Sequence, residues 1–214
     1  MKHSFSKSVN RCQISNSKKL KSLIFLGYLP PVNTLKKIGS TPEEEISFPA
    51  ELLYCEKSKL AQLGCIVDKK ILFPYTYPYT SSTTKVLREN FKDLYSETKK
   101  IIKIGSKDLI IDIGSNDGNL LSNFKDNHKV LGVTPEKIGK LAIKKGIPTI
   151  IDYFDNKSSK KIVKKYGKAK IITATNVFAH IDNINLIMKS ILQTLKSDGV
   201  FISESHYLLP LIKD

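Results

Sequence analysis

The chain has little arginine, although it is strongly basic. Of its 214 residues only Arg11 and Arg88 are arginines, and the formal net charge is +15. The charge comes from lysines scattered in short pairs, which lack the planar fork that contacts phosphates and base edges. Counterion release favours polyanion binding by any basic protein. This distribution nevertheless indicates a solvated, lysine-rich surface and disfavours a nucleic-acid interface.

Cysteines and long apolar runs are also scarce. Cys12, Cys55 and Cys65 form an odd set without a disulfide framework, which is typical of a reducing compartment. No apolar run reaches the roughly 20 residues that a membrane span needs. The start, MKHSFSKSVNRCQ, lacks the apolar core of a secretory signal. We therefore expect a cytoplasmic protein without membrane contact.

Three regions differ in pattern. Residues 1–72 contain many turn-forming residues and little periodicity, which predicts a small loop-rich N-terminal domain. Residues 73–104 form a Tyr-rich linker and then a helix over 82–104. From 105 to 214 short apolar strands alternate with helices. The strands are predicted at 108–113, 129–133, 148–151, 169–173 and 199–204, and the helices at 118–126, 135–145, 156–166 and 182–196.

This alternation predicts an α/β fold, with a Rossmann-like parallel sheet covered by helices on both faces. Right-handed crossovers would join its strands. Ligands of such sheets bind at the carboxyl ends of the strands, beside the first one. The stretch 108-DLIIDIGSNDGNLL-121 lies at that place, so its glycine turn is the first candidate site.

The glycine turn lacks the residues that a diphosphate needs. A dinucleotide site requires G-x-G-x-x-G, whereas Asn116 takes the second glycine position here and Asp117 adds a negative charge. Asp112 can instead meet an ammonium group, while Gly114 and Gly118 leave room for an adenosine joined to an amino acid. The turn therefore predicts S-adenosyl-L-methionine. A ligand-free turn capped by Asp117 is the alternative.

The second strand ends without the expected acid. Methyltransferases usually place a carboxylate there to bind both ribose hydroxyls. In 130-VLGVTPEK-137 the position holds Thr134, and Glu136 comes two residues late. A hydroxyl can make one such bond, so we expect weakened affinity for the cofactor.

After the fourth strand, 173-TATNVFAH-180 directs Asn176 and the backbone of Val177 and Phe178 toward the methyl group. This segment lacks the Asn-Pro-Pro-aromatic arrangement that methylates the amino groups of bases. The catalytic half also has no cysteine to attack a pyrimidine ring. Both absences disfavour a nucleic-acid substrate.

Several stretches together resemble one family, the nucleotide-sugar C-methyltransferases of deoxysugar biosynthesis. The resemblance implies a small zinc-binding domain, a Rossmann-like domain that binds S-adenosylmethionine, and a C-terminal domain. It also implies a reaction in which a base removes the proton beside a sugar ketone and the resulting carbanion takes the methyl group. The matching stretches are 23-LIFLGYLPPVNTL-35, 72-LFPYTYPYTSSTTKVLRENF-91, 110-IIDIGSNDGNLLSNF-124, 176-NVFAHIDN-183 and 198-DGVFISESHYLLPLI-212.

The resemblance implies roles for individual residues. Tyr77 and Tyr79, with Ser81, would close on the active site, unless these tyrosines only pack the linker onto the sheet. Glu204 and His206, with Tyr207, are further catalytic candidates because they lie at the mouth of the fifth strand. They do not match the family's base motif, and strand-end residues without a direct role are the alternative. The cofactor-site pattern is matched by Asp112, Gly114, Asn116, Asp117, Gly118, Asn176 and His180, with a non-catalytic His180 as the alternative. The predicted cofactor-binding set is completed by Ser115, Thr134, Val177 and Phe178.

The chain departs from the family at its cysteines. The Cys-x-x-Cys pairs read 12-CQIS-15 and 55-CEKS-58. A neutral serine hydroxyl is a poor zinc ligand, and two thiolates cannot close a structural site. We therefore expect no zinc, or weak binding only, and no role for Cys65 in a metal site.

The family also extends beyond the segment that matches 204–212, with a Tyr-His-Glu-His motif that supplies the base. We therefore expect the front part of a sugar C-methyltransferase, which binds S-adenosylmethionine but is inactive without a C-terminal companion polypeptide. Otherwise the open fifth strand favours self-association. The alternatives are a non-catalytic binding module and, supported by charge alone, a nucleic-acid methyltransferase.

Overall fold

A computed structural model of the chain describes residues 5–32 and 34–213. These residues form two compact units, the first reaching Tyr77 and the second beginning at Pro78. None of the helices among them is long and apolar enough to cross a bilayer.

The first unit holds more regular structure than the loop-rich pattern predicts. Its described elements are β1 (Ser6–Ser8), β2 (Lys21–Leu29), β3 (Phe48–Cys55), β4 (Leu60–Leu63), β5 (Cys65–Val67) and α1 (Lys69–Leu72). Strands β2, β3 and β4 form an antiparallel sheet in that order, and β1 pairs with β5. Two register shifts interrupt the pairing of β2 with β3, and Gly27 has φ +95° there. These irregularities hide the strand alternation in the sequence.

The second unit contains the predicted parallel sheet. Its strands are β6 (Leu109–Ile113), β7 (Lys129–Thr134), β8 (Thr149–Ile151), β9 (Ala169–Thr175) and β10 (Leu195–Glu204). Among the described residues their order is β10-β9-β6-β7-β8, and all neighbours run parallel. The helices are α2 (Lys85–Ile101), α3 (Gly139–Lys144), α4 (Asn156–Tyr166), α5 (Ile184–Thr194) and α6 (Leu208–Lys213).

The helix predicted over 118–126 is mostly absent. Only Leu121–Asn123 form a 3-10 turn. Gly118 has φ +79°, and the Ser122 hydroxyl and the Asn123 amide both donate to nearby backbone carbonyls. Such side-chain bonds compete with helical ones.

Both faces of the sheet are buried. Ile111 and Ile113 belong to one core cluster, which also contains Ile162 of α4 and Ile191 of α5. Ile110 belongs to a second cluster, with Phe91 of α2 among others. A strand that is apolar on both sides is typical of a parallel sheet between two helix layers.

Candidate functional site

The candidate site lies where the parallel strands end. Strand β6 is central, with β7 on one side and β9 on the other, so the chain order reverses beside it. Open α/β sheets bind their ligands in the crevice at such a point. The turns that leave the carboxyl ends of the strands therefore form the site.

The glycine turn after β6 packs tightly between its neighbours. Gly114 and Gly118 have φ +74° and +79°, and Asn116 has φ +51°. A Cβ atom on Gly114 would lie 2.3 Å from Val177 Cγ2. The Gly114 amide also donates to the carbonyl of Val133 in β7 at 2.8 Å. Only glycine meets both the left-handed conformation and this close approach.

Asn116 and Asp117 hold the segment that carries Tyr79. The Asn116 side chain accepts a hydrogen bond from Ser81 N at 2.9 Å and donates to Tyr79 O at 3.0 Å. Asp117 Oδ1 accepts from Ser81 Oγ at 2.7 Å, and Oδ2 accepts from Ser82 Oγ. These two residues therefore position the Tyr-rich segment over the turn.

The charge of Asp117 is compensated within the protein. Lys145 Nζ lies 2.8 Å from Asp117 Oδ2. Burial raises the pKa of Asp117, but hydrogen bonds from Lys145, Ser81 and Ser82 outweigh burial and leave the pKa below its usual value. Both carboxylate oxygens already have protein partners, so repulsion of phosphates by Asp117 is weaker than the sequence suggests. The case against a diphosphate then depends on Asn116.

Ser115 carries a buried hydroxyl that is unsatisfied. Its Oγ is buried and has no hydrogen-bond partner within the described residues. A Cβ atom on Gly132 of β7 would lie 2.5 Å from it. Buried polar atoms normally find a partner, so this hydroxyl marks a place for an ordered water or a ligand group.

Asp112 is buried at the end of β6, with 3% of its surface exposed. Thr173 Oγ1 of β9 donates to Asp112 Oδ1 at 2.6 Å. Burial raises the pKa of Asp112 to about 7, although the Thr173 hydrogen bond acts in the opposite direction. At neutral pH this carboxyl is therefore partly protonated, and a cationic ligand would favour its charged form.

This raised pKa predicts a pH dependence of stability. Between the ordinary pKa of 3.8 and the raised pKa of about 7, the folded protein holds a proton on Asp112 that the unfolded chain releases. The stabilising contribution is complete below pH 3.8 and is lost as the pH rises through 7. Relative to Asp112→Asn, the wild type should lose up to about 4 kcal/mol of unfolding free energy between pH 4 and pH 8. Urea unfolding at each pH measures this difference.

The exposed Asp126 provides the matched control, because Asp126→Asn should follow the wild-type curve. Parallel curves for the wild type and Asp112→Asn would show that Asp112 keeps an ordinary pKa in the folded protein.

A carboxylate does lie at the end of β7, but it comes from Glu136. Thr134 and Glu136 are 1% and 7% exposed, and Thr134 Oγ1 donates to Glu136 Oε2. A Cβ atom on Gly139 would lie 2.8 Å from Thr134 Cγ2, so α3 begins close against the strand end. Glu136 thus places a carboxylate at the end of β7, where the sequence predicted only the Thr134 hydroxyl. The sequence signal for this placement was the tight T-P-E turn, which brings residue 136 back toward residue 134.

Asp152, which was not among the predicted site residues, follows β8 at the same edge. It is exposed, and its Oδ1 accepts a hydrogen bond from Tyr153 N at 2.8 Å. Its signal in the sequence was an acid directly after an apolar strand.

Glu204 joins the ends of β9 and β10 to α2. Its Oε1 accepts from Asn176 Nδ2 at 2.9 Å, and its Oε2 accepts from Asn90 Nδ2 at 2.8 Å. Asn176, with φ +55°, also donates its backbone N–H to the Glu204 carbonyl at 2.8 Å. With both carboxylate oxygens engaged, Glu204 positions Asn176 and is poorly prepared to act as a base.

The remaining residues of the β9 turn divide between the core and the surface. Val177 contacts the Gly114 turn, and the Phe178 ring lies 5.5 Å from that of Phe201. Desolvation and the nearby His206 charge lower the pKa of His180. The two histidines therefore lie close enough to interact electrostatically.

The two tyrosine candidates fall in different units. Tyr79 is 44% exposed in the second unit, beside the glycine turn. Tyr77 is the last residue of the first unit, where its ring packs 5.6 Å from that of Phe73. The structure thus brings Tyr79 to the candidate site, and the role of Tyr77 stays a prediction.

This topology defines the class of protein. A parallel sheet of this strand order, with helices on both faces and a glycine turn after the central strand, is the fold of class I methyltransferases, whose cofactor is S-adenosyl-L-methionine. The family described as a methyltransferase domain matches residues 86–210, and the chain belongs to it. A second family, described as a proposed zinc binding domain, matches residues 12–73.

One curated relative matches most of the chain. C-methyltransferase NovU of Streptomyces niveus is 24% identical over 208 residues, which are 96% of this chain and 49% of that protein. The chain therefore spans about half the length of this relative.

Solved structures of methyltransferases cover a little over half of the chain. A SAM-dependent methyltransferase from Anabaena variabilis is 20% identical with a TM-score of 0.46, covering 56% of this chain and 51% of that one. The plantazolicin methyltransferase BpumL, solved in complex with a pentazolic desmethylPZN analog and SAH, is 16% identical with a TM-score of 0.45, covering 56% of this chain and 48% of that one. DesVI of Streptomyces venezuelae is 12% identical with a TM-score of 0.44, covering 55% and 52%.

Proposed function

We propose that this chain binds S-adenosylmethionine and forms part of a C-methyltransferase acting on a nucleotide-linked keto sugar. The observation that carries the proposal is the set of groups at the carboxyl edge of the sheet. Glu136 and Asp152 follow the carboxyl ends of the neighbouring strands β7 and β8, and Asn116 takes the place where a dinucleotide site needs glycine. Carboxylates and backbone amides without a phosphate cradle suit a cationic adenosyl compound.

Different residues bind the ribose, the adenine and the amino-acid part of the cofactor. Glu136 binds the ribose hydroxyls, with Thr134 holding its carboxylate in place. Asp152 accepts a hydrogen bond from the adenine amino group. The glycine turn faces the amino-acid part, and Asp112 beneath it favours positive charge there. When bound, S-adenosylmethionine supplies the methyl group as an electrophile.

The sugar specificity rests on the resemblance to nucleotide-sugar C-methyltransferases and on the similarity to NovU. Tyr79, held over the turn by Asn116, contacts the sugar. His180 and His206 lie on the segments that follow β9 and β10, and one of them receives the proton that leaves the sugar carbon.

A second candidate function is cofactor or substrate binding without turnover. The observation that favours it is the engagement of both Glu204 oxygens by Asn90 and Asn176. In either case we propose that another polypeptide strand covers β10, which pairs with β9 alone in the described part of the sheet. Nucleic acid is not a proposed partner.

Isothermal titration calorimetry tests the proposal. The full chain should bind S-adenosylhomocysteine with a Kd of about 1–100 μM and should bind NAD at least 100-fold more weakly. Equal affinity for the two ligands, or no heat with S-adenosylhomocysteine at millimolar concentration, would contradict cofactor binding. Radiolabelled methyl transfer to a nucleotide-linked keto sugar then separates the enzyme from the binding module.

A further inference from the structure

Two loops of the first unit bring two cysteines and two serines together. Cys12 and Ser15 lie on the loop between β1 and β2, and Cys55 and Ser58 lie at the turn that leaves β3. Cys12 is 2% exposed and Cys55 is fully buried. These four side chains occupy the first and last places of the two C-x-x-S segments, and we refer to them as the thiol-hydroxyl cluster.

Hydrogen bonds within the cluster connect the two loops. Cys12 Sγ lies 3.0 Å from Ser58 Oγ, and Ser15 Oγ lies 3.4 Å from Cys55 Sγ. Ser15 N also donates to Cys12 Sγ at 3.4 Å. Each cysteine thus contacts the serine of the opposite loop, so the cluster joins segments that are 40 and 46 residues apart in sequence.

Gln62 of β4 gives the Cys12 loop further support. Its Oε1 accepts from Gln13 N at 3.0 Å, and its Nε2 donates to Arg11 O at 3.1 Å. Gln62 is 7% exposed, so both bonds are shielded from water. The backbone on either side of Cys12 is therefore held by protein groups.

The cluster does not fit zinc, although this region matches a proposed zinc binding domain. A closed structural zinc site takes four ligands from thiolates and imidazoles. The cluster has two thiols, and its other two members are neutral hydroxyls. No group of three or more histidine, cysteine or acidic side chains suitable for a metal occurs in residues 5–32 and 34–213.

We infer that the thiol-hydroxyl cluster replaces a metal centre with hydrogen bonds, so that the first unit folds without zinc. A serine hydroxyl can donate to the sulfur that would otherwise bind a metal, and it satisfies a buried thiol in doing so. Ser15 and Ser58 are the two members of the cluster that would have to be thiolates to hold zinc, and replacing both with cysteine places four thiols together.

The full chain with Ser15→Cys and Ser58→Cys tests this inference against the wild type. The purified variant should contain about one zinc per chain, and the wild type less than about 0.1. Zinc should raise the Tm of the variant by about 5 °C or more, and a chelator should reverse the gain. The Tm of the wild type should not respond to the chelator. Titration with Co²⁺ should give the absorption bands of a tetrahedral thiolate site with the variant only.

Wild-type protein that retains about one zinc and loses stability with the chelator would overturn the inference. So would a folded double variant that takes up neither zinc nor Co²⁺. If the double variant does not fold, Ser58→Cys alone, with three thiols, should bind Co²⁺ more tightly than the wild type, and equal binding would contradict the proposed geometry. Finally, Ser15→Ala with Ser58→Ala should lower the Tm. An unchanged Tm would show that these hydrogen bonds do not hold the two loops together.

Discussion

Replacing Gly114 with alanine should abolish detectable binding of S-adenosylhomocysteine and destabilise the protein by about 1–3 kcal/mol. The new Cβ would lie 2.3 Å from Val177 Cγ2, and alanine would also have to adopt φ +74°. Val177 is β-branched and has few rotamers with which to avoid the contact. The turn would therefore move away from the β9 loop, and the floor of the site would be lost. Calorimetry and urea unfolding measure the two effects.

Gly167→Ala is the matched control, because Gly167 has φ +84° but open space around its Cβ position. Gly167→Ala should lower the stability, because alanine is strained in the left-handed conformation. Its affinity for S-adenosylhomocysteine should be that of the wild type. The double variant Gly114→Ala with Val177→Ala removes the contacting methyl groups and should regain part of the stability. Normal affinity in Gly114→Ala would show that the turn does not contribute to binding.

Removing the Glu136 carboxylate should weaken binding of S-adenosylhomocysteine by about 10-fold to 100-fold, which corresponds to roughly 1.4–3 kcal/mol. Glu136 provides the charged acceptor at the end of β7, and Thr134 alone can make one bond to a ribose hydroxyl. Glu136→Ala tests the loss, and Thr134→Val should cause a smaller loss because it only releases the carboxylate from its support. Thermal melts of both variants show whether the fold persists.

Glu97→Ala serves as the control for Glu136, since Glu97 is an exposed carboxylate of α2 paired with Lys100. It should leave the affinity unchanged. If adenine binds Glu136→Ala and the wild type equally while S-adenosylhomocysteine distinguishes them, the ribose is the group that Glu136 recognises. Equal affinity of the two proteins for S-adenosylhomocysteine would show that Glu136 does not contribute to binding.

The parallel sheet was predictable because its strands are short apolar runs with little ambiguity. Ile110 and Ile111 face opposite core clusters, and only a strand covered on both sides requires apolar residues at consecutive positions. The position of the site followed from the topology. The antiparallel sheet of the first unit was harder to predict, because its alternation is broken by the irregular pairing of β2 with β3.

The details of the site depend on contacts that sequence spacing does not encode. Asp117 could be selected as an acid in the turn, but its pairing with Lys145 joins residues 28 positions apart. Glu136 was judged too distant from the end of β7, although the turn carries its side chain back to Thr134. Glu204 was selected as a catalytic candidate, and its hydrogen bond from Asn90 is a contact across 114 positions. Such partners become visible only in three dimensions.

A crystal structure of the full chain with S-adenosylhomocysteine tests the central claim most directly. We predict that the ligand lies across the carboxyl ends of β6, β7 and β8, with its ribose hydroxyls bonded to Glu136 and its amino-acid part over the turn from Gly114 to Gly118. A ligand bound elsewhere, with Glu136 and the turn unchanged and solvent-filled, would contradict the account.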